Sequence, residues 1–164
     1  MRPLALLALG AAVVAFVVHL LAVAGRTPLG MTIIVIVFPI AFLCFAAFIR
    51  DANKRSGTRR VGVADLVAPL PTWARVLFVI VFSYVGLNFA LFWHATGGGT
   101  VEQRPDGRYV LSDHGRVIRP LDEEGVRTVH TWQVRAFSGH ILPFLVLPGL
   151  YFLFVPRSRR SNTE

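Results

Sequence analysis

Four long apolar runs, at about residues 3–24, 29–49, 73–95 and 137–155, constrain this chain more than any other feature. Each approaches the ~20 residues a helix needs to cross a bilayer core of ~30 Å. None carries Asp, Glu, Lys or Arg away from its ends. A soluble domain would alternate polar and apolar residues with a period of 2 or 3.6, whereas these runs are apolar all round, as lipid-facing helices are. The expectation is an all-α membrane protein: four transmembrane helices, with a small extracytoplasmic β-hairpin or meander plus a helix between helices 3 and 4. With 54% hydrophobic residues in 164, the whole chain 1–164 reads as a single membrane domain.

Charge distribution orients the spans. The segment 50–75 holds Arg50, Lys54, Arg55, Arg59, Arg60 and Arg75 against Asp51 and Asp65, and the tail holds Arg157, Arg159 and Arg160 against Glu164. The stretch 96–135 balances six arginines with six carboxylates. The positive-inside rule places the basic loop 50–72 and both termini in the cytoplasm, and the neutral element 96–136 outside. The net charge of +8 is therefore a topology signal that anionic lipid can hold at the surface, and no nucleic-acid partner is expected. Ala22, Val23 and Ala24 resemble a signal-peptidase site. The first run is nonetheless longer than the 7–15 residues usual for a signal core, so an uncleaved span is expected. Cys44, the only cysteine, reads as a small buried hydrophobe.

Small residues mark packing faces. Ala5, Ala8, Ala12, Ala15, His19 and Ala22 recur at spacings of three and four, and so do Ser83, Gly86, Ala90 and His94. Such stripes let helices approach closely in lipid. Asn88 falls on another face and reads as structural glue. Pro39 should kink the second span, and Pro143, Pro148 and Gly149 should bend the fourth. Residues 50–60 read as a flexible basic loop and 61–68 as an interfacial segment. Thr72 is the expected N-cap of the third span, and Trp73 its aromatic anchor.

In the outer element, segments 100–104, 108–111 and 116–119 suggest three short antiparallel strands, with turns at Pro105-Asp106-Gly107 and Ser112-Asp113-His114-Gly115. Asp122 should cap a helix that turns toward the last span near Ser138-Gly139. Three short strands are barely stable alone, so the sheet must lean on the helices.

The segments YVLSDHGRVIR (109–119) and VRAFSGH (134–140) resemble uncharacterised bacterial four-span inner-membrane proteins with a similar outer loop before the last span. Those proteins often have an aromatic residue after the Phe-Ser-Gly-His run, where this chain has Ile141. The resemblance implies a bacterial inner (plasma) membrane location and no particular activity.

All five histidines fall on the outer side of this topology. His19, His94 and His140, near the outer ends of three spans, are the candidate cofactor-binding residues. His114 and His130, in the outer loop, are further candidate metal ligands. Interfacial hydrogen bonding is the simpler role for all five, since no His-x-x-x-His or cysteine-bearing metal spacing is present. The Asp113–His114 pair with Ser112 fits a turn better than an acid–base site, and no span holds the carboxylate that coupled transport usually needs. The leading expectation is a non-enzymatic, partner-binding or complex-forming subunit in the lipid bilayer, with no cofactor. Its partner would be a membrane or periplasmic protein, or further copies in a homo-oligomer. The alternatives are a haem- or transition-metal-binding redox or sensor subunit, and a small oligomeric pore.

Overall fold

The structure, a computed structural model, describes residues 2–27, 29–57 and 62–155. The end of the basic loop around Arg59 and Arg60, and the arginine-rich tail, lie outside the described residues. In chain order the elements are α1 (Arg2–Val23), α2 (Gly30–Ser56), α3 (Val63–Val67), α4 (Thr72–Thr96), β1 (Thr100–Gln103), β2 (Tyr109–Asp113), β3 (Arg116–Leu121) and α5 (Glu123–Phe154). Among the described residues, α1, α2, α4 and α5 are long and apolar enough to cross a membrane. The protein is an all-α membrane fold with a three-stranded sheet between its third and fourth spans.

α5 is the spine, packed against α1, α2 and α4. Its 32 residues extend ~48 Å at ~1.5 Å each, well beyond a ~30 Å hydrocarbon core. Asp122 starts it, its carboxylate accepting the Gly125 N–H at 2.7 Å. Glu123 and Glu124 favour the positive end of the helix. At Ser138-Gly139, where a change of direction is expected, the helix continues without a break, as it does through Pro143 and Pro148. Most of this face is buried against the other spans, which offsets the poor intrinsic propensity of glycine and proline.

The alanine face of α1 does what its spacing predicts. Ala5, Ala8, Ala12, Ala15, His19 and Ala22 are all buried, while Leu6, Leu7, Val13 and Val17 face outward. Close approach to α5 is sharpest at Gly149, where an added Cβ would lie 2.7 Å from Leu9 Cδ2. The small-residue stripe of α4 behaves differently. Ser83, Gly86, Ala90 and His94 are exposed, and α4 buries Ala74, Asn88 and Thr96 instead. Hydrogen bonding of Asn88 to α5 sets this rotation: satisfying a polar amide in lipid outweighs the packing of small side chains.

On the basic side α2 runs about two turns past the expected end of its span, so residues 50–56 are helical rather than loop. Arg55 Nε donates to Asp51 Oδ2 at 2.6 Å along the helix, and Tyr151 of α5 donates to the same oxygen at 3.0 Å. Gly57, with φ of 67°, ends the helix in the left-handed conformation. Pro39 sits inside the uninterrupted α2. Phe48, Ala52, Leu66, Leu70 and Tyr151 form the core here, so the short α3 segment is anchored by Leu66 and the following Leu70. Helix α4 begins at Thr72 itself, with Pro71 in the cap position, one residue before the expectation. Trp73 is exposed and packs edge-on to Phe154 at 5.3 Å.

The sheet is an antiparallel meander in the order β1-β2-β3. Thr100 pairs with Ser112 and Tyr109 with Leu121, with a register shift between Leu111 and Ser112. His114 (φ 49°) and Gly115 (φ 82°) form the tight second turn, which requires two left-handed residues. In the first turn Arg108 donates to Asp106 through both its backbone and Nε, holding the Asp106 carboxyl below the usual carboxylate range. Leu111, Leu121 and Val129, with Val101 and Val126, form a small core that seats the sheet on the first turns of α5.

Because a methyl at position 149 would lie 2.7 Å from Leu9 Cδ2 and 2.8 Å from its Cγ, so that α1 or the Leu9 side chain must shift, Gly149→Ala is expected to destabilise the bundle by about 1–3 kcal/mol. Thermal unfolding in detergent measures this, and an unchanged midpoint would contradict the close α1–α5 contact.

Candidate functional site

Near the sheet end of the spans, side chains from three helices converge on one backbone carbonyl. Arg135 O accepts from Asn88 Nδ2 at 3.1 Å and lies 3.1 Å from His19 Nδ1. Arg135 Nε returns a bond to Asn88 Oδ1 at 3.0 Å, so asparagine and arginine are reciprocally paired. The Arg135 guanidinium stacks on the Trp132 ring at 4.7 Å. Ser138 donates to Val134 O at 2.6 Å, and its oxygen lies 3.0 Å from His19 Nδ1. On the other side of the imidazole, His19 Nε2 is 2.6 Å from the Tyr84 hydroxyl, the two rings meeting edge to face with centroids 5.4 Å apart.

These bonds fix the protons. A carbonyl oxygen can only accept, so His19 Nδ1 carries a hydrogen. The ring is 2% exposed, and among the described residues it has no carboxylate within ion-pairing distance, so it is neutral and Nε2 is bare. Tyr84 therefore donates to His19 Nε2. The chain runs Tyr84 O–H to His19, then His19 N–H to the α5 backbone and Ser138. Among the described residues no buried side-chain nitrogen or oxygen lacks a partner.

Gly139 makes the convergence possible. A Cβ there would sit 2.6 Å from Asn88 Nδ2 and 3.3 Å from His19 Cε1. Its bare surface lets side chains from α1 and α4 reach the carbonyl one turn earlier on α5.

Beside the knot and mostly toward the basic side, α1 and α4 flank a groove of about 610 Å³ whose floor is Leu142, Val146 and Leu150 of α5. Phe16, Leu20, Ile80 and Val81 line its walls, and among the described residues its only polar lining residues are His19 and Tyr84. It extends along α1 from Leu9 to Val23, about 21 Å at ~1.5 Å per residue.

The remaining histidines are placed as follows. His140 donates from Nδ1 to Ala136 O at 2.8 Å, meets Phe89 edge-on at 5.5 Å and lines a separate apolar groove with Phe38, Phe42 and Phe144. His94 is exposed near the end of α4, and His130 is exposed on α5. His114 is exposed in its turn, its Nδ1 2.6 Å from Asp113 Oδ1. The structure brings His19 together with α4 and α5, while His19 and His140 line different grooves. Among the described residues, no three or more His, Cys, Asp or Glu side chains group so as to hold a metal ion. Tyr84 and Arg135 were not singled out from sequence. The usable signal for them was the spacing of four between Tyr84 and Asn88 in an otherwise apolar helix, and of three between Arg135 and Ser138.

Fold and site define a class: a small four-span helical membrane protein with a sheet-bearing loop and a buried interhelical polar knot. No protein-family model, curated protein or solved structure matches the chain.

A double-mutant cycle tests the link between α1 and α4. His19→Ala and Tyr84→Phe should each destabilise the protein, with a coupling energy of about 0.6–1.7 kcal/mol, the range of interhelical hydrogen bonds in membranes. Denaturant unfolding in mixed micelles reads it, and strictly additive effects would contradict the bond.

Proposed function

We propose that this chain is a non-enzymatic membrane subunit that takes an amphipathic molecule from the plane of the bilayer into the α1–α4 groove, with the head of that molecule at the His19–Tyr84 end. The observation that carries this reading is the groove itself: a long apolar trough with two polar side chains toward its outer end, one turn before Val23. Its volume is within the ~300–1,000 Å³ of small-molecule sites. The lining supports binding rather than catalysis. Among the described residues it contains no carboxylate, no cysteine or serine and no lysine, and the His19 and Tyr84 protons are already engaged. Haem or metal coordination at His19 would first have to break the Tyr84 bond, which weighs against the redox reading.

The charge asymmetry supports an orientation with residues 50–72 and both termini in the cytoplasm of a bacterial inner membrane. The polar end of the groove then lies in the outer leaflet. A second reading, complex formation with another membrane protein or a second copy, is favoured by the outward face of α4. Ser83, Gly86 and Ala90 are exposed there, and nothing lies within 4 Å of a Cβ added at Gly86. The bilayer is the common partner in both readings.

The test is native mass spectrometry of the intact protein released from mild detergent. The wild type should retain about one lipophilic molecule per chain. Val13 lines the groove yet is 62% exposed, so Val13→Trp fills the groove at little cost to the fold. That variant should lose the adduct while keeping its unfolding midpoint. Equal retention by wild type and variant would overturn the proposal.

A further inference from the structure

We propose that the Arg135 guanidinium holds the phosphate of a membrane lipid, in the leaflet on the sheet side. This site is separate from the α1–α4 groove, whose lining does not include Arg135.

Arg135 is a cation without a counter-ion. It stands on α5 two residues before the run 137–155, which contains no Asp, Glu, Lys or Arg. Among the described residues the ion pairs are Arg55–Asp51, Arg104–Glu102, Arg108–Asp106 and His114–Asp113, and none includes Arg135. A guanidinium does not deprotonate in a protein, and a charge at the edge of hydrocarbon is costly unless it is paired. The described residues supply no anion, so the balancing charge comes from a neighbour in the membrane.

The same group is held in place and left open. Its Nε donates to Asn88 Oδ1 at 3.0 Å, and its Cζ stands 4.7 Å from the centroid of the Trp132 ring. Trp132 lies three residues earlier on α5, so the guanidinium leans toward the sheet side, where lipid head groups lie. Neither terminal nitrogen has a hydrogen-bond partner among the described residues. Arg135 is half-buried, and no buried side-chain nitrogen lacks a partner, so both terminal nitrogens are accessible. A planar fork with free N–H groups matches two oxygens of a phosphate. Depth favours a lipid over a dissolved ion: the donors sit at the border of an apolar span, beside a tryptophan of the kind that marks the head-group level.

The test is native mass spectrometry of the full-length protein in a maltoside detergent. The protein is titrated with dioleoylphosphatidylcholine or with dioleoylglycerol, which has the same chains and no phosphate. Neither lipid has a net charge, so net attraction to the basic segment 50–75 does not enter. The first equivalent of the phospholipid should bind about tenfold more tightly, the effect of a charge-assisted hydrogen bond. In Arg135→Gln the amide nitrogen falls where Arg135 Nε stands and can keep the bond to Asn88, while the terminal nitrogens and the charge are gone. That variant should keep its unfolding midpoint and bind the two lipids equally. Arg75→Gln, which removes an exposed charge at the other end of α4, should retain the preference. Inorganic phosphate should leave the phospholipid bound.

Equal binding of the two lipids by the wild type would overturn the inference, and this comparison needs no variant to fold. So would a preference that survives Arg135→Gln or that Arg75→Gln also abolishes. Displacement by inorganic phosphate would assign the fork to a dissolved ion and overturn the lipid source.

Discussion

The carbonyl oxygen of Arg135 is the point on which the packing of three spans depends. In hydrocarbon an unsatisfied polar group costs several kcal/mol, so the imidazole of His19 and the amide of Asn88 must find partners within the protein. Both find the same acceptor on α5, reached across the bare surface of Gly139. This satisfies the polar groups and also fixes rotation. It turns the alanine face of α1 onto α5 and turns the small-residue face of α4 away from the bundle.

The groove follows from the same constraint. α1 and α4 are joined by the bond between His19 and Tyr84, and both rest on α5. Below that bond the side chains that line the gap between them are Val13, Phe16, Ile80 and Val81, which leave a trough rather than a seam. The site is thus built on a rigid spine, with its polar end buttressed by the knot and its apolar length open to lipid. At the opposite end a separate junction holds α2 to α5, where Asp51 accepts from both Arg55 and Tyr151. The bundle is pinned near both faces of the membrane.

Much of the fold was legible because lipid simplifies the code. Span number followed from length and hydropathy, the meander from its turn residues, and the buried face of α1 from its alanine spacing. What escaped the sequence is instructive in physical terms. The helical extension at residues 50–56 depends on Asp51 being shared by Arg55 and by Tyr151, a hundred residues away. The continuity of α5 through Ser138, Gly139, Pro143 and Pro148 depends on its burial by three neighbours, which local propensity does not report. The site was half legible. His19 and Asn88 were singled out as polar residues in apolar spans, and Ser138 only as part of a turn with Gly139. Arg135 entered only as one arginine of a charge-balanced stretch and within the VRAFSGH segment, and Tyr84 was not singled out. Their roles come from which helices meet, and at what depth.

The most direct test of the central claim is the tautomer of His19, read by ¹⁵N NMR of selectively labelled protein in lipid bilayers. The knot requires a neutral ring with hydrogen on Nδ1 and a bare Nε2 accepting from Tyr84. The Nε2 signal should therefore have the shift of an unprotonated, hydrogen-bonded nitrogen, and it should move in Tyr84→Phe. A ring protonated on Nε2 alone, or an Nε2 signal indifferent to Tyr84→Phe, would contradict the knot and the proton inventory built on it.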